Sequence, residues 1–277
     1  MNFASNILEN RFLSKITKVV SFFCDKNYTD CDRSEFKRAE RIFGLTPEYI
    51  LIKEIKSGWR WDKFNFSCKK KYDNTIYFAS MCLRYKSLEE SKIDCEILDS
   101  LFKGMDDMNI FLPLRIEKIT SSIYIYPFMN QRSLADKIYP GKNYFDKLVP
   151  MSQNCKGIPL QYDDIICFSN QILNGLKYLH NSGIFHGNVH CGNIIIDSGA
   201  KITDVHLTLL GYIHRDIKLF MTISNIKNEF QLDILGFATV VYEMIYGTPI
   251  SSSFNPPESA PQLDHCLVNF LSNLVID

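Results

Sequence analysis

With 277 residues, of which 46 % are hydrophobic and 22 % charged, the chain can build a large core, and wholesale disorder is excluded. Thirty-one basic residues balance thirty-one acidic ones, so no global field draws in nucleic acid or anionic lipid. The nine cysteines are scattered, with no CxxC pair and no zinc-like spacing, and they point to free thiols in a reduced, intracellular protein.

Residues 1–45 read as two helices, the second being "CDRSEFKRAERIFG" with Asp32 as a candidate cap and Gly44 as a stop. The first, within "MNFASNILENRFLSKITKVVSFFCDK", has an apolar stripe broken by Asn, Glu, Arg and Lys. It has neither a signal-peptide core nor the ~20 apolar residues of a membrane span. "PEYILIKEI" and "NTIYFASMCLRY" predict strands from their β-branched and aromatic content, and "CKKKY" (68–72) between them reads as a solvated loop. "SLEESKIDCEILDSLFKG" has helical spacing, with Ile93, Ile97, Leu98 and Leu101 on one face and Gly104 at its end. "SSIYIYPFM" predicts a strand stopped at Pro127.

A long helix follows over 163–182, then a loop, "HGNVHCGN", and short strands at "NIIID" and "AKITDVHL". The last strong helix spans about Gln231 to Tyr246, apolar almost all round and so expected to be buried. Strands with one helix, followed mostly by helices, imply an α+β protein of two lobes joined near residues 127–133. The expected division is a helical extension over 1–45 and a main domain over 46–277, with lobes of about 46–128 and 129–277.

Taken in order, these segments resemble the protein kinase superfamily. Kinases carry H-R-D-L-x-x-x-N, whose Asp is the catalytic base and whose Asn holds magnesium. Here that frame runs from His186 to Asn193: Asn193 matches the metal ligand, and Asn188 stands at the base position. An amide has no useful basicity and only orients a hydroxyl. Eleven residues on, "DVH" falls where kinases have D-F-G, so Asp204 matches the second metal ligand, with Val205 and His206 replacing Phe and Gly. The resemblance implies that Asn193 and Asp204 are the pair to hold Mg²⁺ against ATP.

The phosphate-covering loop matches less well. In "IKEIKSGWRWDKF" only the middle glycine, Gly58, survives, with Lys56 and Trp61 at the other two positions. The strand motif V-A-I-K aligns with "FASM", placing Met81 where the phosphate-binding lysine belongs, with Arg84 or Lys86 able to serve only after a register slide. The helix partner of that lysine aligns with Asp94, with Glu96 close by. His186 matches a structural spine residue, stacking with Leu98 and Val205, and Asp233 matches the Asp that braces the catalytic loop. The segment from Asp204 to Asp233 is short, has no A-P-E, and contains Thr222 and Ser224.

The tail "YEMIYGTPISSSFNPPESAP", with "HGNVHCGNIII", is similar to a divergent kinase-like branch that includes Slowpoke-binding protein and PX-domain serine/threonine-kinase-like protein. The resemblance implies a two-lobed kinase-like fold with a shortened C-lobe, and no room for a PX domain ahead of it. It also implies a catalytically impaired cytoplasmic regulator that contacts a membrane potassium channel and a phosphopeptide-binding adaptor through protein surfaces. A weak ATP- and Mg²⁺-dependent Ser/Thr kinase is the alternative, and an unrelated two-lobed protein is the third reading.

Overall fold

The computed structural model describes residues 33–55, 63–82, 95–118, 122–127, 133–140, 156–208, 214, 216–223 and 226–250. Calls on the first N-terminal helix, the Gly58 loop, Arg84, Lys86, Asp94, Ser224 and the tail beyond 250 lie outside them. The elements are helix α1 (Arg33–Gly44), strands β1 (Tyr49–Glu54), β2 (Lys63–Lys70) and β3 (Ile76–Cys82), and helix α2 (Cys95–Lys103). Strands β4 (Ile110–Phe111), β5 (Arg115–Lys118) and β6 (Ser122–Pro127) follow, then α3 (Leu134–Ile138) and α4 (Tyr162–Asn181). One turn of 3-10 helix (Cys191–Asn193) leads to β7 (Ile194–Ile196) and β8 (Ala200–Thr203), then α5 (Ile217–Ile223) and α6 (Glu229–Tyr246).

Five strands form an antiparallel sheet in the order β1-β2-β3-β6-β5, and β4, β8 and β7 form a second, small sheet. The pleat of the large sheet divides its residues between two faces. On one face Phe66, Cys68, Ala79 and Met81 pack against Ile42 and Phe43 of α1. Phe43 and Phe66 are fully buried with ring centroids 5.5 Å apart, and each such side chain removed from water contributes about 2 kcal/mol. Helix α1, placed by the sequence reading in a separate extension, is thus part of the small lobe's core. On the other face Phe78, Ile116 and Tyr126 pack with Leu98 and Phe102 of α2 and with Val205 and Leu207 just after β8. The two lobes therefore share one apolar cluster, which Leu179 of α4 completes.

"CKKKY" is not all loop. Cys68, Lys69 and Lys70 are the end of β2, with Cys68 fully buried, and only Lys71 and Tyr72 turn into solvent. The triple lysine hid a strand whose inward residues are Asn65 to Cys68.

The large lobe is organised around α6, buried along nearly its whole length from Leu232 to Tyr246. Asn228 caps its start, the side chain accepting from Gln231 N at 3.0 Å, and Gly247 ends it at φ +62°, a conformation that costs other residues about 1 kcal/mol. Helix α4 carries Asp163 and Asp164 in its first turn, where carboxylates suit the helix dipole. Within the described residues the fold is mixed α+β and kinase-like: an antiparallel small lobe with one inserted helix, then a helical lobe.

Candidate functional site

The loop 186–193 is held by a carboxylate from α6. Asp233 is fully buried, and its two oxygens accept from His186 N at 2.8 Å and Gly187 N at 2.6 Å, with His180 Nε2 at 2.8 Å as a third partner. Hydrogen bonds to a charged acceptor are each worth about 1.5–3 kcal/mol, so this one side chain fixes the loop's entry. Gly187 sits at φ +68° beneath Thr208, whose hydroxyl donates to His186 O; a Cβ there would lie 2.6 Å from Thr208 Oγ1. Gly236 serves from the opposite side, where a Cβ would come within 2.6 Å of the Val189 carbonyl oxygen. Only glycine lets α6 approach the loop so closely.

The imidazoles here are structural. His186 accepts at Nδ1 from Asn188 N at 3.2 Å, so its Nε2–H donates to Thr203 O at 2.8 Å and ties the loop to β8. His190 accepts from Gly192 N at 3.0 Å and caps the 3-10 turn. His214 donates from Nε2 to Val189 O at 2.7 Å and accepts from Asp216 N at 3.0 Å, pinning the loop from the far side. His206 lays its ring edge-on against Phe102 of α2, centroids 5.8 Å apart. Nothing in the spacing of His214 or Thr208 marked them as loop-bracing residues, because their partners lie about 20 residues away in sequence.

Two matched positions come together. Asn193 Nδ2 donates to Asn188 O at 3.1 Å, so the metal-ligand position and the base position are directly linked. Asn188 is itself fully buried, and neither atom of its side-chain amide has a hydrogen-bond partner among the described residues. Asp204 is nearly fully buried and is the one described non-glycine residue at positive φ, +66°, a backbone state costing about 1–2 kcal/mol that clusters at functional sites. Leu98 and Val205 share the interlobe apolar cluster, whereas His186 is bonded to the Thr203 carbonyl of β8.

The small-lobe side differs from the sequence alignment. Met81, matched to the phosphate-binding lysine, is almost fully buried on the α1 face of the sheet, away from Asp204. Strand pairing sets Phe78 opposite Tyr126 and Ser80 opposite Tyr124, and this is the face that meets Val205. Ser80, which is buried, shares that face with Phe78, whereas Met81 lies on the other; a one-residue offset in a strand exchanges every side chain between faces. Aromatic rings occupy this face: Phe78 meets Tyr126 edge-on at 5.8 Å, and Phe111 stacks on Tyr126 at 5.4 Å with 13° between planes. The Tyr126 hydroxyl donates to Asp204 Oδ1 at 3.0 Å.

Asn193 and Asp204 keep the kinase order in sequence, with Asn193 tied to the Asn188 carbonyl and one Asp204 oxygen accepting a tyrosine hydroxyl. Among the described residues no group of three or more His, Cys, Asp or Glu side chains is placed to hold a metal ion. No described helix is long and apolar enough to cross a membrane.

No family model matches the chain. It is 26 % identical over 272 residues to PX domain-containing protein kinase-like protein of Mus musculus, covering 93 % of this chain and 46 % of that protein. It is 26 % identical over 178 residues to Slowpoke-binding protein of Drosophila melanogaster, covering 62 % of this chain and 34 % of that one. A shorter match, 31 % identical over 104 residues, is to mitogen-activated protein kinase HOG1 of Candida albicans, covering 33 % of this chain and 27 % of the kinase. The chain spans about half the length of the first of these relatives, or less. This similarity, the strand order of the small lobe and the Asp233-braced loop support a kinase-like chain similar to the branch that includes PX domain-containing protein kinase-like protein and Slowpoke-binding protein.

Proposed function

We propose that this chain is a catalytically silent, kinase-shaped regulatory module that works by binding other proteins. The observation that carries the reading is Asn188: the base position of a loop otherwise held in kinase form is a neutral amide, fully buried. An amide cannot take the hydroxyl proton. What the sequence retains is the bracing of the loop rather than its chemistry. Slowpoke-binding protein carries a binding role in its name, and by extension a membrane potassium channel is the partner proposed here, with a phosphopeptide-binding adaptor as a second. Such a protein would act in the cytoplasm and reach the plasma membrane through its partner.

A weak ATP- and Mg²⁺-dependent Ser/Thr kinase is the second reading. It is favoured by the retention of Asn193 and by the positive φ of Asp204, since positioning alone supplies part of phosphoryl transfer. The test is transfer of labelled phosphate from ATP to generic Ser/Thr peptides and to the chain itself, with Mg²⁺ or Mn²⁺. The expected result is no transfer above a heat-treated control, for wild type and for Asn188→Asp alike. Transfer by the wild type that disappears in Asp204→Ala would overturn the proposal in favour of the enzyme.

A further inference from the structure

We infer that the end of the small lobe where β2 turns into β3 is a docking face for an anionic membrane surface, presented by Tyr72 and Leu45 and held by Lys69, Lys70 and Lys71.

Two turns meet at this end of the lobe. Lys71 N donates to Glu48 O at 2.8 Å and Lys71 Nζ to Thr46 O at 3.4 Å, so the turn after β2 lies against the segment joining α1 to β1. Both turns are fixed internally: Asp73 accepts from Thr75 N at 2.8 Å, and the Thr46 hydroxyl donates to Phe43 O at 2.9 Å at the end of α1. Each nevertheless holds a large side chain out in water, Tyr72 at 95 % exposure and Leu45 at 65 %. Beside them Ile50, Lys69 and Ile76 are paired across β1, β2 and β3 and so stand in one row on one face, the isoleucines 42 % and 41 % exposed. Such side chains gathered at one end of a lobe, with lysines among them, mark an interaction surface.

The charge is one-sided. Three consecutive lysines stand against one carboxylate in the turn, Asp73, while Glu48 is taken up by Arg115 at 3.0 Å. Lys70 lies over the Tyr77 ring at 5.6 Å and Lys69 between the two isoleucines, as lysine stems do where they cover apolar surface beside a wet, charged boundary. A bilayer with anionic headgroups matches both parts. Tyrosine sits at the headgroup level, and each lysine near the surface adds an attraction that decays within about 8 Å at physiological salt. Tyr72, at its exposure, lines no groove of the kind a peptide segment would need. The balanced net charge adds no long-range pull, so the contact is local to this tip and independent of whether the loop 186–193 transfers phosphate.

The test is co-sedimentation of the full chain with phosphatidylcholine vesicles and with vesicles of equal parts phosphatidylcholine and phosphatidylserine. The expected result is sedimentation with the anionic vesicles only, lost when salt rises from about 0.1 M to about 1 M and the Debye length shrinks to about 3 Å. Lys70→Glu with Lys71→Glu should cut the bound fraction about tenfold or more, and Tyr72→Ala several-fold. These side chains lie at the surface, so each variant should keep the wild-type Tm, which separates lost binding from lost fold. Lys177→Glu with Lys227→Glu, an equal change of charge at exposed positions in the large lobe, should leave binding intact. A wild-type chain that ignores the anionic vesicles would overturn the inference and leave the tip to an acidic protein surface. So would equal losses in the two charge-reversed pairs, equal binding to neutral vesicles, or a folded Tyr72→Ala, Lys70→Glu, Lys71→Glu variant that binds as wild type does. None of the substituted residues lies in the braced loop, so this outcome and that of the phosphate-transfer test are read separately.

Discussion

Asn188 stands at the base position of the kinase-like loop frame. Its backbone is fully used, the N–H donating to His186 Nδ1 and the carbonyl accepting from Asn193, yet its side-chain amide is buried with neither atom bonded to a described residue. A buried amide without partners costs about 1–3 kcal/mol. Asn188→Leu, similar in volume and free of polar atoms, is therefore expected to leave stability unchanged or raise it by about 1 kcal/mol. Asn188→Asp should lower it by about 2 kcal/mol or more, because it would bury a carboxylate where the amide already lacks hydrogen-bond partners among the described residues. Urea unfolding midpoints decide the matter, and a Leu variant markedly less stable than wild type would contradict this account of the site. The identity of Asn188 and its place in the loop were legible from the frame His186–Asn193, whereas the isolation of its amide depends on packing from several segments and was not.

Among the elements, the contact between α6 and the loop sets the tightest tolerance. Gly236 places the helix backbone against Val189, and Gly187 lets the chain turn under Thr208. Gly236→Ala would force a methyl into a space 2.6 Å from a carbonyl oxygen that the helix cannot easily leave, since its neighbours are buried on all sides. Overpacking of this kind costs about 1–3 kcal/mol. A Tm several degrees lower, with unchanged far-ultraviolet circular dichroism, is the expected outcome; an unchanged Tm would mean the loop yields. The helices themselves were readable. α4 and α6 follow from apolar spacing, because that signal lies within the segment it specifies, whereas the Asn228 cap and the Gly247 stop came from the structure. β2, β4, β5, α3 and α5 were not, being short or, for β2, masked by lysines.

At the scale of the whole molecule, buried acidic groups make an alkaline limit. Burial pushes the Cys68 thiol in β2 up to about 12, and burial with the neighbouring Tyr246 pushes the Tyr242 hydroxyl up to about 12. The Tyr246 hydroxyl is raised too, by burial. All three keep their protons in the native state at pH values where the unfolded chain has released them, so native stability falls as pH rises. The stabilising contribution is complete below the ordinary thiol value of 9.0 and declines towards about 12. Denaturant midpoints measured from pH 8 to pH 11, roughly, should fall steadily above the thiol range, and Cys68→Ala should flatten the first part of that decline. A flat profile through this range would rule out these groups as determinants.

The sequence by itself determined the order of the main elements through local spacing and residue types, and its resemblance to kinases picked out the loop frame, the neutral residue at the base position and Asp233 as the bracing carboxylate. The tertiary structure alone decided that Met81 packs on the α1 face of β3 and that Ser80 lies on the opposite face, with Phe78. It alone joined Tyr126 to Asp204 and brought α1 into the small lobe's core. The reason is common to all three. A strand's periodicity states that two faces exist but not what covers them, and a hydrogen bond between residues 78 positions apart has no local signature.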